Sequence, residues 1–330
     1  MNVLVTGGTG YIGSHLVDAL LQVGHKVRVL DLQPPTDKHQ RASGYDFMQG
    51  SVTDLDVVSH AVQHAEVVYH LAWGFLAWRS YPEMRPDEER REIQENLCGT
   101  LNLLEAARTA GVRHFLFSGS AVVYGPTGTV RVNEAHACHP ERSTLGGPVY
   151  GITKLAGEKL CLVYGRRGLP VTVFRLHGVF SEGNLGQFER MIRQALAGES
   201  VKATQGAGGE YAHIEDVWRA FLLAMGNPKA YGEVFNLAGS YTYSDPELAH
   251  YIVEAVESGS PVEPIEDPTR GMVSVSVDRL RRILGYEPTR GEFLTGLIQA
   301  ALTDGEKPEQ VRDSNATVSA LWALKKYGRV

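Results

Sequence analysis

Cysteine is scarce in this chain, with Cys98, Cys138 and Cys161 the three present in 330 residues. An odd set without metal-ligand spacing excludes a disulfide framework and a cysteine-built metal centre, and a reducing cytoplasm is the expected setting. Long apolar runs are also missing, the first being far too short for a signal peptide. No long basic block occurs: 32 basic residues against 38 acidic ones give a net charge of -6, so nucleic acid and anionic membrane are poor partners. His70, His177 and His213 do not fall at metal-ligand spacing, and no metal is expected. Internal repeats and low-complexity segments are absent. What remains is a chain 43% apolar, able to bury one large α/β core or two closely packed lobes.

The most informative local pattern opens the chain. Val3-Leu4-Val5 reads as a buried strand that runs into Thr6-Gly7-Gly8-Thr9-Gly10-Tyr11-Ile12-Gly13, and a helix follows through Ser14 to Leu21. Glycines in a strand-to-helix turn let bare backbone approach a pyrophosphate, whose charge then faces the helix N-terminus. Two frames fit, GxGxxG from Gly8 and TGxxGxxG from Gly7, and the glycines alone do not choose between them. A second strand, Lys26 to Leu30, ends in Asp31. A carboxylate there accepts both adenosine ribose hydroxyls and repels a 2′-phosphate, which favours NAD; Lys38 and Arg41 keep NADP as a lesser alternative.

Strands then alternate with helices for more than half the length. Tyr45 to Met48 and Val67 to Leu71 bracket a helix starting near Asp54; a long helix is expected from about Asp87 to Ala110, then a strand from His114 to Ser118, the helix bearing Tyr150, and a strand from Val171 to Arg175. This rhythm predicts an α/β fold, a Rossmann-type doubly wound parallel sheet with ligands at the carboxyl ends of its strands. Past about residue 178 the rhythm loosens into a smaller C-terminal α/β substrate lobe. The division expected is a dinucleotide-binding domain over 1–178, a mainly substrate-binding lobe over 179–303 with some return to the first domain, and a tail over 304–330. The run Glu88-Glu89-Arg90-Arg91-Glu92 reads as a solvated helix face with local ion pairs.

Tyr150-Gly151-Ile152-Thr153-Lys154 places a phenol and an ammonium on one helix face, where the ammonium lowers the phenol pKa and holds a cofactor ribose while the phenol handles a substrate proton. Alone, such a spacing is most often an aromatic and a solvated lysine on an amphipathic helix. Here it stands with the glycine loop and with Ser120 at a strand end.

In sum these motifs resemble the extended short-chain dehydrogenases, specifically the NAD-dependent epimerase/dehydratase group that includes UDP-galactose 4-epimerase. The likeness runs over roughly residues 1 to 303: TGGTGYIG at 6–13, HLA at 70–72, NLCGTLNLLEAA at 96–107, SGSAVVYG at 118–125, YGITK at 150–154, RLHGV at 175–179, HIEDV at 213–217, FNLAGS at 235–240, and Asp278 to Gly285. The resemblance implies NAD as cofactor, held by Gly7, Gly10, Tyr11, Ile12, Gly13, Asp31, the backbone of Val52, Leu71, Ala72, Tyr150, Lys154 and His177. It implies Tyr150 as acid/base, Lys154 as the group that binds the nicotinamide ribose and depresses the tyrosine pKa, and Ser120 as a hydrogen-bond partner of the reacting oxygen. It further implies a nucleotide-sugar substrate and a homodimer through the helices near 90–108 and 150–166. For His177 a packed strand-end role stands beside the cofactor contact.

Elimination chemistry in this group usually employs an acidic residue after the Ser or Thr, whereas Ala121-Val122-Val123 follow Ser120. An epimerase is therefore expected over a dehydratase, with a dehydrogenase or reductase of a non-nucleotide alcohol or ketone, and a dinucleotide-binding protein without turnover, as alternatives. Relatives usually carry Asn at the position of Gly178 and Arg near Gly208-Gly209, both on the substrate diphosphate; Arg190, Arg193 and Arg270 are candidate replacements. Ser51 stands where an Asp often meets adenine. Trp73-Gly74-Phe75-Leu76-Ala77-Trp78 either lines a less polar substrate mouth or packs under a lid or at a subunit contact.

Overall fold

The parallel strands are the most continuously apolar segments of the chain, as burial on both faces requires. The computed structural model describes residues 1–35, 44–74, 85–143, 147–181, 187–267 and 270–288, so that Lys38, Arg41, Phe75 to Trp78 and the tail over 304–330 lie outside the described residues. The elements in chain order are β1 (Asn2–Thr6), α1 (Tyr11–Gln22), β2 (Lys26–Asp31), β3 (Asp46–Gln49), α2 (Leu55–Ala61), β4 (Val67–His70), α3 (Pro86–Ile93), a π-helical turn (Gln94–Cys98), α4 (Gly99–Thr109), β5 (His114–Ser120), α5 (Gly147–Arg166) and β6 (Val171–Leu176). They continue with α6 (Gln187–Leu196), β7 (Val201–Thr204), β8 (Gly208–Glu210), α7 (Ile214–Ala224), β9 (Glu233–Leu237), β10 (Thr242–Ser244), α8 (Asp245–Val256), β11 (Val262–Ile265), β12 (Met272–Val273) and α9 (Asp278–Leu284).

Seven strands form one parallel sheet in the order β3-β2-β1-β4-β5-β6-β9. This is the doubly wound sheet expected, and the order reverses between β1 and β4, opening a crevice at their carboxyl ends. Strand period two sorts the core: Val3, Val5, Tyr69, Leu116, Phe174 and Phe235 pack on one face, and Leu4, Val68, Phe115, Phe117, Val171 and Val173 on the other. Beyond β6 the chain builds a two-stranded sheet (β11-β7) and a three-stranded one (β10-β8-β12). A third apolar cluster centred on Phe188, Met191, Ile192, Leu248 and Ile252 supports this region. It also returns to the large sheet, since α7 packs on α1 and β9 extends the edge beyond β6.

The long helix expected from Asp87 to Ala110 is interrupted. Pro86 starts α3 at its first turn, where its missing N–H is harmless, and Glu88 caps the backbone of Arg85. The helix then widens over Gln94–Cys98 before resuming as α4. At this turn the Asn96 side chain leaves the helix face to clasp the backbone of Gly74, accepting from its N–H at 2.8 Å and donating to its carbonyl at 3.3 Å. Gly99 presses on Val52, whose Cγ2 would lie 2.4 Å from any Cβ there. A π turn is where such local demands are met at the cost of one regular hydrogen bond.

Candidate active site

The glycine loop closes on itself with no room for side chains. Gly7 has φ +73, and a Cβ there would lie 2.6 Å from the Ala72 amide nitrogen; a Cβ on Gly13 would lie 2.0 Å from the Gly7 carbonyl oxygen. These two contacts are with backbone, so they select the Gly7-Gly10-Gly13 frame, whereas Gly8 faces only the Val29 side chain. Gly10 precedes α1 without a side-chain cap, and no acidic residue occupies the first turn, so the amides there face the loop unneutralised. Tyr11 and Ile12 begin that turn. At the end of β2, Asp31 accepts from the Thr9 amide at 3.1 Å, so its carboxylate is fixed at the mouth of the loop. Val52 is held by its carbonyl, which accepts from Asn102 Nδ2 at 3.2 Å. Ser51 bonds Thr53 locally at 2.8 Å. Leu71 and Ala72 leave β4 beside the loop, the Ala72 amide donating to Thr6 Oγ1 at 3.3 Å.

Across the switch point, β5 ends in Ser120 and α5 presents Tyr150 and Lys154 one turn apart. The Tyr150 and Ser120 hydroxyls are hydrogen-bonded. Burial raises the Tyr150 phenol to about 12, the Ser120 bond opposing the rise and the Glu92 carboxylate adding to it. Lys154 is buried; its Nζ donates to the Ser118 carbonyl at 2.8 Å and lies 3.7 Å from the centroid of the Trp73 ring. Burial lowers its ammonium to about 7, against the attraction of Glu92. Trp73 thus lies under the lysine, edge-on to Phe117.

Glu92 is the residue the sequence reading missed. Glu88 and Glu92 are 5% and 0% exposed, so the acidic run is not a uniformly solvated face. The correction has a geometric cause: α3 packs against α5, and residues 88 and 92, four apart, both turn inward. A readable signal existed, because Glu88, Glu92, Asn96, Thr100 and Leu104 recur every four residues and all are buried.

His177 lies at the end of β6, buried, with Nδ1 2.5 Å from the Glu210 carbonyl oxygen and its ring stacked on Tyr211. The neighbouring Gly178 has φ +54, and a Cβ there would meet Tyr211 Cδ1 at 2.4 Å; one on Gly209 would meet His177 Cε1 at 2.3 Å. Tyr211 thus fills the place of a side chain at 178. The candidate arginines are engaged elsewhere: Arg270 pairs with Asp245 at 2.8 Å, Arg193 with Glu189 at 2.8 Å, and Arg190 donates to the Lys202 carbonyl at 3.3 Å.

A side-chain-free backbone cradle, an uncapped helix N-terminus and a carboxylate at the end of the second strand suit a dinucleotide with free ribose hydroxyls. With Ser120, Tyr150 and Lys154 at the facing strand end, fold and site define an NAD-dependent oxidoreductase of the extended short-chain type. The chain belongs to the NAD dependent epimerase/dehydratase family, whose model matches residues 3–238. It is 30% identical to the UDP-glucose 4-epimerase of Mycolicibacterium smegmatis (strain ATCC 700084 / mc(2)155) over 87% of this chain and 94% of that one. It is 27% identical to a 3 beta-hydroxysteroid dehydrogenase/Delta 5-->4-isomerase of Mycobacterium tuberculosis (strain CDC 1551 / Oshkosh) over 86% of this chain and 77% of that one. The structure of UDP-glucuronic acid 4-epimerase from Bacillus cereus in complex with NAD superposes with a TM-score of 0.75 at 25% identity, covering 94% of this chain and 99% of that chain.

Proposed function

We propose that this protein epimerises a hydroxyl-bearing carbon of a nucleotide sugar through a transient keto intermediate. The observation that carries the reading is the hydrogen-bonded Ser120–Tyr150 pair one helical turn from Lys154. Bound at the glycine loop, NAD would supply the chemistry of reversible hydride transfer with the sugar carbon. Tyr150 Oη takes the hydroxyl proton and later restores it, while Ser120 Oγ orients the same oxygen. Lys154, as an ammonium, binds the nicotinamide ribose; burial raises the phenol in the structure, and it is the Ser120 bond that opposes the rise, with the ammonium aiding ionisation in the loaded site. Gly7, Gly10, Tyr11, Ile12 and Gly13 receive the pyrophosphate, Asp31 the adenosine ribose, and Val52, Leu71, Ala72 and His177 line the remaining cofactor path. Ala121, Val122 and Val123 are buried apolar residues, so the strand end supplies no second acid for elimination.

The same reading places NAD binding in 1–178, substrate binding mainly in 179–303 and a tail in 304–330. It includes a cytoplasmic homodimer joined through the helices near 90–108 and 150–166, the latter exposing Ile152. Among the described residues no helix is long and apolar enough to cross a membrane. A second reading, an NAD-dependent dehydrogenase of a non-nucleotide alcohol or ketone, draws on Tyr211 filling the space beside Gly178 and on the occupied arginines.

The test is to denature the purified protein, assay released NAD by mass spectrometry, and screen UDP-glucose, UDP-galactose and UDP-glucuronic acid for isomer interconversion without added cofactor. Retained NAD with interconversion supports the epimerase. An empty site, no interconversion and NADH formation with simple alcohols supports the dehydrogenase. Tyr150→Phe is expected to slow turnover about 10²–10⁴-fold with NAD binding largely intact, and near-normal turnover would remove the phenol from the mechanism. Asp31→Ala is expected to weaken NAD by about 1.5–3 kcal/mol and relax discrimination against NADP, read by titration of both dinucleotides.

A further inference from the structure

Glu92 has no place in the mechanism above, yet its surroundings are unusual. Both its carboxylate oxygens are buried and have no hydrogen-bond partner among the described residues. Buried carboxylates are ordinarily hydrogen-bonded or paired, because an isolated charge in a low-dielectric interior is strongly disfavoured. Here α3 lays Glu92 against α5 on the Lys154 side, while the Trp73 ring covers the ammonium within 3.7 Å of its centroid. No direct ion pair or hydrogen bond joins Glu92 to Lys154; the coupling is through space. The other titratable groups facing Glu92 are the Tyr150 phenol on α5, Glu89 on its own helix and Glu95 on the π turn, with Glu88 one turn before it. Glu88 is tied to Arg85 at 3.2 Å and Glu95 to Arg91 at 3.9 Å, which among the described residues leaves Lys154 as the cation with the strongest claim on Glu92. His70 beneath Trp73 is held between Thr6 and Thr100 at 2.8 and 2.9 Å.

We propose that Glu92 is a positioning residue, the buried counter-carboxylate of Lys154, and that the two titrate as one coupled pair, in which the charged form of each favours the charged form of the other. The two share no hydrogen bond, so no proton passes directly from Nζ to the carboxylate; each group exchanges its proton with solvent, and the charge of one sets the titration of the other. The expected titrations agree with this assignment: burial raises Glu92 to about 7 against the pull of Lys154, and burial lowers Lys154 to about 7 against the pull of Glu92. The ammonium form of Lys154 is the one that assists Tyr150, so activity is lost as pH rises through the lysine titration. Removing Glu92 lowers that titration and moves the alkaline limb of the activity profile to lower pH.

The inference rests on the assigned role of Lys154 for its activity consequence, and its first test needs no substrate. The full chain, labelled with ¹³C at lysine Cε and glutamate Cδ, is titrated by NMR, Lys154 being identified by its loss in Lys154→Met and Glu92 by its loss in Glu92→Gln. Glu92→Gln is expected to lower the Lys154 titration by about one unit or more, and Lys154→Met to raise that of Glu92 by a comparable amount. A Lys154 titration unchanged in folded Glu92→Gln overturns the proposal, whatever the melting temperature does. If Glu92→Gln does not fold, the reciprocal variant decides: an unmoved Glu92 in Lys154→Met overturns it equally. A merely structural Glu92 would shift stability and leave both titrations in place. Failure of the sugar screen with shifted titrations would remove the epimerase reading and keep this one.

Discussion

Helix α5 takes part in two buried acid–base pairs, one on each side of Gly157, and they are built in opposite ways. Glu158 receives Arg175 through two hydrogen bonds of 2.8 Å, and Arg175 also donates to Tyr124 at 2.6 Å, which in turn donates to Asn236 at 2.8 Å. Burial pushes the Glu158 carboxyl up, but the bonds and charge of Arg175 outweigh it and leave its pKa lowered. Lys154 and Glu92, one turn away, share no hydrogen bond, and each is driven to about 7. A satisfied pair fixes its protons and serves as a strut; an unsatisfied pair leaves a proton movable near neutrality. Where a helix holds both, the incomplete one marks the chemistry.

Breaking the strut has the larger expected effect. Arg175→Met leaves Glu158 buried without its fork, and a loss of about 3–5 kcal/mol in denaturant unfolding is expected. Adding Glu158→Met is expected to recover much of that loss, and failure to do so would show that Tyr124 and Asn236 carry the energy. Gly157→Ala acts between the two contacts: its Cβ would lie 2.8 Å from Phe117 Cζ and 3.4 Å from Trp73 Cη2. A destabilisation of about 1–3 kcal/mol is expected, together with a displaced Lys154 titration as the Trp73 ring shifts. An unmoved lysine would mean that the ring is a passive lining.

The smallest effect is a gain. The Glu92 carboxyl titrates higher in the folded chain than its ordinary 4.5, so the protein is relatively more stable at low pH and loses that advantage as pH rises from 4.5 through about 7. Glu92→Gln is therefore expected to melt above wild type near pH 7, with the difference vanishing below about pH 4.5. The reverse trend would mean that Lys154 stabilises the ionised carboxylate by more than burial penalises it.

Legibility followed the range of the interactions. The parallel sheet could be read because each strand is a continuous apolar run, and the glycine loop and Asp31 because a strand-to-helix turn is a local matter of a few residues. Tyr150 and Lys154 are legible for the same reason, one turn on one helix. Glu92, the seat of Trp73 under the lysine and the filling of Gly178 by Tyr211 depend on which elements meet in space, and no local pattern states that. The interrupted α3–α4 helix was read as continuous because a π turn leaves apolar periodicity nearly intact.

That interruption has an evolutionary consequence. A π turn spends about five residues where an α-helix spends four, so deleting one residue within Gln94–Cys98 would restore an unbroken α-helix and leave Glu92 close to its bearing toward α5. Deleting one residue from the regular turns of α4 would instead rotate everything upstream by about 100° and swing Glu92 out of the interior. The π turn is thus a stretch where a codon can be lost with the carboxylate kept in place, at the cost of the Asn96 clasp on Gly74.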